Sequence, residues 1–563
     1  MKLSSCFAAL SACFVLSVTS AQAQTVRGTV FDDRNANGTF DQGEPVIPGV
    51  RVSNGSDVAI TDAQGGYELS IDDDEIVFVI KPEGYQVRID AQNLPRFYYI
   101  HKPAGSPDED FLFKGVEPTG GLPESVDFPL TRFETPAAFE VLLFGDPQPY
   151  TAEEMRFYAN EIIERVRDNR ATFAVALGDL VGDDLSLFEP LNEVQAGLGI
   201  PIYNVYGNHD MNFRSAQGAT SDEYADETFE RVYGPATYAV QYGDTHFIFV
   251  DNVYYRGYKG DRPPRGEAWD GNRWLTFDGQ REAWPITNNY EGRLTPKQMA
   301  FIKNYLATLG EDQQIMICTH IPLLADQANS VHQVRGQIGE LMKLLSRFKS
   351  SASFSGHTHL NRHWYIGSEW GFNHASGKPH HHFNAGTASG SWWRGQRDPD
   401  GVPHALMADG TPPGWVAATF EGSGYQARFV SNRPGDARDM RIIAPLEIKG
   451  VENTTGTIVR ANIWAGTGET SKTRMRIMTG GKASAWSTMQ HKPQADPVYA
   501  QQAAAEQQDA KGYRPVGRGP IASHNMFEGR LPAELPKGTH VLEIESTDLF
   551  GQTVRGSQSF MVR

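Results

Sequence analysis

Cysteine is scarce in this sequence, with three residues among 563. Cys6 and Cys13 lie in the first 23 residues, so a chain cleaved after residue 23 would keep only Cys318. One cysteine forms no intrachain disulfide, which excludes the disulfide-rich scaffolds common among secreted domains. Stability must therefore come from hydrophobic cores, to which bound metals could add.

Long apolar runs and excess positive charge are missing as well. After residue 23, no run reaches the ~18 apolar residues that a membrane-spanning helix needs. Acidic residues outnumber basic ones by 68 to 51, which makes nucleic acid and anionic membranes unfavourable partners. Such a surface tolerates cations, and the sequence gives no indication of the oligomeric state.

The first 23 residues have the layout of a secretory signal peptide. Lys2 precedes an apolar stretch over 7–18, and Ala21-Gln22-Ala23 forms a small-x-small cleavage site. This pattern predicts a periplasmic or secreted bacterial protein. Leu10-Ser11-Ala12-Cys13 also fits a lipoprotein box, but further apolar residues follow Cys13 in place of a polar tether, which disfavours lipidation.

Three regions follow the predicted signal peptide. Residues 24–135 contain short strand patterns separated by Gly, Asn and Asp turns, which predicts a β-sandwich. Residues 136–430 alternate apolar strands with helical periods, which predicts a layered α/β core. Residues 431–563 return to strands and predict a second β-sandwich.

Individual elements within these regions can also be predicted. Residues 153–170 carry an apolar face at helical spacing, and Thr295-Pro296 should open a helix that runs through Leu309. In the last region, 442–448 reads as one strand. The Gln/Ala-rich stretch 500–511 predicts a surface loop or a short helix.

Five apolar strands of the middle region each end in a short polar cluster. The clusters are LLFGDPQ, AVALGDL, YNVYGNHD, IMICTHIP and ASFSGHTH. Because loops beyond the carboxyl ends of the strands of an α/β sheet converge on one crevice, their polar side chains should meet there. These are Asp146, Gln148, Asp179, Asn208, His209, His320, His357 and His359. Carboxylate, amide and imidazole ligands together suit Mn, Zn, Fe or Mg.

These clusters resemble the signature of the calcineurin-like metallophosphoesterase superfamily, which is D-x-H, G-D-x-x-[DN], G-N-H-[DE], a lone His before a helix, and G-H-x-H. Two positions depart from it, because Gln148 stands where the first His belongs and Asp183 closes the second motif one position late. Asp183 either supports a ligand or is a turn residue. The resemblance implies a four-layer α/β/β/α core over 136–430.

The resemblance also implies a role for each motif residue. One metal would be held by Asp146, Gln148, Asp179 and His359, and the other by Asp179, Asn208, His320 and His357. His209 would remain unligated, oriented by Asp210, and would act as general acid or stabilise phosphoryl charge. Metal-bound hydroxide would attack phosphorus in line.

Gln148 bears on the choice of metal. Its amide oxygen replaces a nitrogen donor, which favours Mn, Mg or Ca over Zn at the first site, and Mn is the preferred expectation overall. The alternative is that Gln148 turns away and water takes its place.

A second metal signal lies in the first region, in FDDRNANGTFDQGE at 31–44. Calcium-loop positions 1, 3, 5, 9 and 12 are occupied, and Thr39 stands where a backbone carbonyl ligates. The side chains concerned are Asp33, Asn35, Asn37, Asp41 and Glu44. With TDAQGGY at 61–67, the segment resembles calcium-stabilised β-sandwich repeats of bacterial surface proteins. A metal-free hairpin is the alternative.

Three further features have open roles. Trp392, Trp393 and Arg394 form either a lip against the organic part of a phosphoester or a domain-packing loop. Within His380-His381-His382, alternation along a strand lets at most His381, or the pair flanking it, enter the crevice. His246 lies inside a strand pattern and is expected to be structural.

The motifs together predict a dinuclear metal-dependent hydrolase of small phosphoesters. Phosphomonoesters and phosphodiesters are not distinguished, because the metals contact only the shared phosphoryl group. The alternative is a surface binding or adhesion protein whose β-domains do the work and whose phosphoesterase core is vestigial. The enzyme is favoured because every position needed for catalysis carries a competent residue.

Overall fold

The computed structural model describes residues 24–107, 111–212, 222–257, 268–269, 274–275, 290–326, 330–508, 512–531 and 534–563. The predicted signal peptide lies outside these residues. Among the residues described, no helix combines the length and the apolar character required to cross a membrane.

The first region is a β-sandwich of a five-stranded and a four-stranded sheet. Across the first sheet, the strands are Gly66–Ile71, Gln24–Asp32, Phe128–Arg132, Tyr85–Ile89 and Pro95–Arg96, and across the second they are Val58–Ile60, Arg51–Ser53, Glu75–Val79 and Tyr98–His101. The sandwich core continues into the next region. The ring centroids of Phe78 and Phe301 lie 5.8 Å apart, and those of Phe97 and Tyr238 lie 5.1 Å apart.

The middle region contains two facing sheets of five and six strands. Across the first, the strands are Ile202–Asn204, Phe173–Ala176, Ala138–Phe144, Gly414–Glu421 and Gly424–Ser431, and across the second they are Tyr238–Tyr242, Thr245–Val250, Gln314–Thr319, Ser350–Ser355, His380–Asn384 and Arg362–Ile366. The first three strands of the first sheet run parallel, as do the four central strands of the second.

Alternating side chains join these sheets into four layers. Phe139 of the first sheet packs 6.5 Å from Phe247 of the second, whereas the neighbouring Leu142 and Phe144 join the helix side of the first sheet. On the far face of the second sheet, His246 reaches Tyr305 of a helix. The covering helices are Ala152–Tyr158 and Phe188–Ala196 on the first sheet, and Pro296–Ala307 and Ile338–Leu345 on the second. The predicted α/β/β/α order is confirmed.

The helices follow their sequence signals closely. The segment predicted at 153–170 begins at Ala152, with Thr151 as N-cap, and continues beyond Tyr158 as a π turn and a 3-10 turn to Val166. Thr295 and Gln298 form a capping box at the helix that Pro296 opens. The shorter elements are helix Glu227–Tyr233, 3-10 turns Leu185–Leu187, Ser368–Trp370, Gly435–Arg438 and Val451–Asn453, and strands Val253–Tyr255, Ala268–Trp269, Trp274–Leu275, Tyr290–Arg293 and Val334–Arg335.

The last region is a second β-sandwich. One sheet contains Met440–Ile443, Ile458–Ile463, Met526–Arg530 and Gln490–His491, and the other contains Glu447–Ile448, Thr553–Val562, Gly538–Thr547, Lys472–Thr479, Lys482–Ala483 and Ser487–Thr488. The prediction of one strand over 442–448 was wrong, because Pro445 lacks an N–H and splits it between the two sheets. The Gln/Ala-rich stretch forms helix Pro497–Gln508.

Candidate metal centre

The loops that follow five strands meet at one edge of the facing sheets. Gln148 donates its backbone N–H to the Asp179 carbonyl at 3.1 Å, which joins two loops of the first sheet. The His357 backbone N–H donates to Asp146 Oδ2 at 2.8 Å, which ties a loop of the second sheet to one of the first. The predicted convergence therefore occurs, and it draws on both sheets.

An unusual backbone conformation aims these side chains inward. Five of the predicted ligands have positive φ, with values of 39° at Asp146, 43° at Gln148, 48° at Asp179, 75° at His357 and 54° at His359. This region costs about 1–3 kcal/mol for a residue other than glycine. Such strain persists only where surrounding contacts impose it, which is typical of a functional site.

The densest group of ligand atoms surrounds His320. Among described residues, Asp179, His320 and His357 form the single set of three His, Cys or acidic side chains whose ligand atoms lie within 4.8 Å of one another. His320 Nε2 lies 3.2 Å from Asp179 Oδ1, 3.2 Å from His357 Nδ1 and 3.0 Å from Asn208 Oδ1. All four residues predicted to hold the second metal therefore face one point.

The tautomer of His320 makes this point suited to a cation. His320 donates from Nδ1 to the Leu177 carbonyl at 2.8 Å, so its Nε2 carries the lone pair when the ring is neutral. That lone pair faces the oxygens of Asp179 and Asn208. Converging acceptors repel one another unless a proton or a metal ion lies between them, so the residues fit a metal ion.

The residues predicted for the first metal form a looser group. His359 Nε2 lies 3.5 Å from Asp146 Oδ1, and the Gln148 amide nitrogen lies 3.5 Å from Asp179 Oδ2. The Gln148 side chain is fully buried, yet its Oε1 has no hydrogen-bond partner. This oxygen is open to a ligand, and together with Asp146, Asp179 and His359 it fits a second ion.

The electrostatics of the site also favour positive charge. Burial raises the pKa of Asp146 to about 7. Burial acts in the same direction on Asp179, but His320 and His209 outweigh it and hold the pKa of that carboxyl well below its usual range. Burial would lower the pKa of His320, and Asp179 instead raises it to about 9. In the metal-free chain, protonated imidazoles therefore supply the positive charge beside Asp179 that a bound cation would otherwise supply.

Asp183, rather than Asp210, orients His209. His209 Nδ1 lies 2.6 Å from Asp183 Oδ1, and its Nε2 makes no hydrogen bond to a described residue. Burial opposes the charged ring, but Asp183 and then Asp179 raise the pKa of His209 to about 10. The acid that closes the second motif one position late is thus the one that contacts the imidazole.

The predicted orienting role of Asp210 was wrong. Its carboxylate accepts backbone N–H groups from Gly207 at 2.9 Å, Leu180 at 2.9 Å and Val181 at 3.3 Å. These contacts fasten the loop of His209 to the loop of Asp179. Asp210 therefore positions the backbone. Its carboxylate is engaged by these three N–H groups, and the His209 ring contacts Asp183 instead.

The proposed tryptophan lip divides into two parts. Trp393 is 4% exposed, donates from Nε1 to the Pro147 carbonyl and packs against Phe157, so its assignment to a lip was wrong. Trp392 instead lies on His359, with ring centroids 4.2 Å apart, and Arg394 lies 5.7 Å from the Trp392 ring. Both tryptophans have φ of 54°.

Two residues near the centre had no motif to reveal them. His332 Nδ1 lies 2.8 Å from His357 Nε2, on the side of that ring opposite His320. Arg518 of the last region donates from Nη1 to the Thr358 carbonyl at 2.9 Å, and its guanidinium lies 5.1 Å from the Trp392 ring. A lone His and a lone Arg in loops carry no local signal.

The histidine triplet lies away from the centre. His380 and His382 share a face of their strand and contact Ser353, whereas His381 on the opposite face contacts His363. The alternation was predicted, but neither face contacts the metal-ligand residues. His246 is held by Tyr305 and Gln313, in keeping with a structural role.

The predicted calcium loop folds around its own polar groups. Asp33 accepts the N–H groups of Asn37 and Gly38, and Glu44 accepts those of Arg34 and Asp41. Asp41 Oδ2 also accepts the amide nitrogens of Asn35 and Asn37, each at 2.8 Å. The acidic side chains of the loop do not form a group of three within ligand distance, as judged over the described residues.

Comparisons with known proteins agree with the order of these regions. A model of calcineurin-like phosphoesterases matches residues 139–361, a model of the N terminal of calcineurin-like phosphoesterase matches 34–116, and a model of the C terminal matches 382–554. No curated protein matches the sequence.

Solved structures with similar chains include two phosphatases. A dimetal phosphatase from Danio rerio is 13% identical, with 52% of this chain and 96% of that chain covered at a TM-score of 0.32. A purple acid phosphatase from yellow lupin (Lupinus luteus) seeds is 12% identical, with 69% and 75% covered at a TM-score of 0.35.

Proposed function

The chain belongs to the calcineurin-like phosphoesterases, and from this we propose that it is a dinuclear metal-dependent hydrolase of small phosphomonoesters or phosphodiesters. One observation carries the proposal. His320 Nε2 meets the oxygens of Asp179 and Asn208 with its lone pair, and the buried Gln148 Oε1 has no hydrogen-bond partner. Two divalent ions would satisfy both groups.

Each ion would have its own residues, with Asp179 shared between them. The first would be held by Asp146, Gln148, Asp179 and His359, and the second by Asp179, Asn208, His320 and His357. When bound, the ions supply an activated water nucleophile and Lewis-acid stabilisation of the phosphoryl oxygens. Because Gln148 adds an oxygen donor to the two carboxylates of the first site, Mn is favoured over Zn there.

His209 would act on the departing group. Asp183 holds Nδ1, so Nε2 is the atom left to donate a proton to the leaving oxygen or to stabilise phosphoryl charge. The raised pKa of His209 keeps the proton available in the metal-free chain. Tyr150, which precedes the N-cap Thr151 of the following helix, makes a T-shaped contact with the His209 ring, with ring centroids 6.1 Å apart.

The compartment and the accessory metal are parts of the same proposal. Lys2 and Ala21-Gln22-Ala23 support export to the periplasm or the medium. The spacing of Asp33 to Glu44 supports calcium in the first region, where the ion would replace contacts that the loop now makes with itself.

The test is hydrolysis of p-nitrophenyl phosphate and bis-p-nitrophenyl phosphate by the Mn-loaded chain. We expect turnover of at least one ester, and we expect His320→Ala to lose one ion and nearly all turnover. His374→Ala is the matched control, because His374 is a loop histidine far from the ligands that contacts Ser376 and the Phe348 carbonyl. A chain that binds two ions and hydrolyses neither ester would favour the surface-binding alternative.

A further inference from the structure

A cavity of about 270 Å³ opens directly beside the candidate metal centre. His357 and Thr358 form one wall, and the segment 518–524 of the last region forms another. Apolar side chains supply much of the remaining lining, namely Leu324, Leu360, Trp364 and Ile521. This volume lies just below the ~300 Å³ at which ligand pockets begin, which suits one compact organic group.

Arg518 stands where the cavity meets the metal centre. Its Nη1 donates to the carbonyl of Thr358, the residue between the two predicted ligands His357 and His359. Its guanidinium lies over Trp392, which in turn lies on His359. Two contacts therefore fix the guanidinium against the loop that carries both histidines, although it belongs to a distant part of the chain.

The charge of Arg518 is not paired within the described residues, unlike that of its neighbours. Arg362, which lines the same cavity, lies 3.4 Å from Asp326, and His524 lies 3.6 Å from the same carboxylate. The Asp409 carboxylate, which also lines the cavity, accepts the backbone N–H groups of Asn361 and Thr411. Arg518 uses one donor on Thr358 and remains accessible, so its other N–H groups are free for a ligand.

We propose that Arg518 binds the phosphate of the ester and that the cavity receives the ester's compact, partly apolar organic group. The planar fork of a guanidinium matches phosphate oxygens, and the apolar lining matches carbon. This inference rests on the proposed hydrolase function. It makes the last region part of substrate recognition, with Arg518 as the phosphate-binding residue and the cavity as the part that selects the organic group.

The experiment separates the two halves of the proposal with inorganic phosphate, which has no organic group. Phosphate is titrated calorimetrically into the Mn-loaded chain and into four variants, and kcat and KM are measured for bis-p-nitrophenyl phosphate. The variants are Arg518→Met, Arg518→Lys, Ala522→Trp and Arg530→Met. Ala522 is exposed and lines the cavity, so Trp fills it without entering a core. Arg530 is the control, because it also donates to a backbone carbonyl but lies in the sandwich sheet.

We expect Arg518→Met to weaken phosphate binding by roughly 10- to 100-fold, the range for a charged hydrogen bond, with part of the loss recovered in Arg518→Lys. Ala522→Trp should bind phosphate as wild type does but show a higher KM for the diester. Wild-type phosphate affinity in Arg518→Met, or wild-type KM in Ala522→Trp, would overturn the proposal. If the wild-type chain hydrolyses no ester, the hydrolase function fails, and the phosphate titration still decides the role of Arg518.

Discussion

Replacing Gln148 by Met separates metal binding from folding at the candidate metal centre. In the metal-free chain, Gln148 leaves Oε1 unpaired and makes two long contacts, at 3.3 Å to the Tyr150 hydroxyl and 3.5 Å to Asp179 Oδ2. An unpaired buried polar group costs about 1–3 kcal/mol, whereas hydrogen bonds of ordinary length contribute about 0.5–1.5 kcal/mol each. Met at this position should therefore leave the free energy of unfolding unchanged or raise it by up to ~2 kcal/mol.

The metal-loaded chain should respond in the opposite direction. Residues that only support a metal ligand contribute about 10- to 100-fold to affinity, so loss of a ligand should weaken the first ion by ~100-fold or more. The second ion should bind as before, because Gln148 is not among its predicted ligands. Calorimetric Mn²⁺ titration gives the affinities, and urea unfolding after chelation gives the stability.

Gln195→Met is a matched control for this experiment. Gln195 is also buried, leaves its Oε1 unpaired and donates from Nε2 to a tyrosine hydroxyl, that of Tyr158 at 3.2 Å. Its helix lies behind the first sheet, so its substitution should change stability alone. If both variants change stability equally and neither changes Mn²⁺ affinity, Gln148 is not a ligand and the reasoning from its unpaired oxygen is refuted. Gln148→His extends the test, because a nitrogen donor should shift the first site from Mn²⁺ toward Zn²⁺.

Three further substitutions test the neighbouring assignments. His209→Ala should keep two bound ions and slow ester hydrolysis by roughly 100-fold; an accompanying loss of metal in elemental analysis would identify His209 as a ligand instead. His332→Ala should weaken the second ion by about 10- to 100-fold, because its Nδ1 holds His357 Nε2; affinity equal to that of His374→Ala would assign His332 to the cavity wall only. Calcium should raise the melting temperature of the full chain, and Glu44→Gln should abolish that increase; a melting temperature indifferent to calcium and chelator would remove the calcium site.

The main strands and the convergence of the site were predictable because their signals are local. Each of the five motifs is an apolar strand followed by a turn, and parallel strands in a layered core bring their carboxyl ends together. The split of 442–448 was also readable, since Pro445 lacks the N–H that a continuous strand needs. These features depend on a few neighbouring residues and on rules for packing layers.

The remaining features depend on how distant loops meet. Asp210 directly follows His209 in the sequence, which made it a reasonable partner. In the fold, however, the Asp210 carboxylate accepts the backbone N–H groups of Leu180 and Val181. The role of Asp183 follows from the same crossing of loops. Arg518 reaches Thr358 across 160 positions of sequence, through docking of a whole region. Contacts between residues so far apart leave no pattern in a short stretch of sequence.

The central claim is that five loops hold two divalent ions that together drive phosphoester hydrolysis. The most direct measurement is stepwise addition of Mn²⁺ to the chelated chain, with bound metal and hydrolysis of p-nitrophenyl esters followed in the same sample. We predict that two equivalents bind and that turnover appears with the second, while His320→Ala stops at one equivalent and stays inactive. Saturation of the wild-type chain at one equivalent, or two bound equivalents without hydrolysis, would contradict the account.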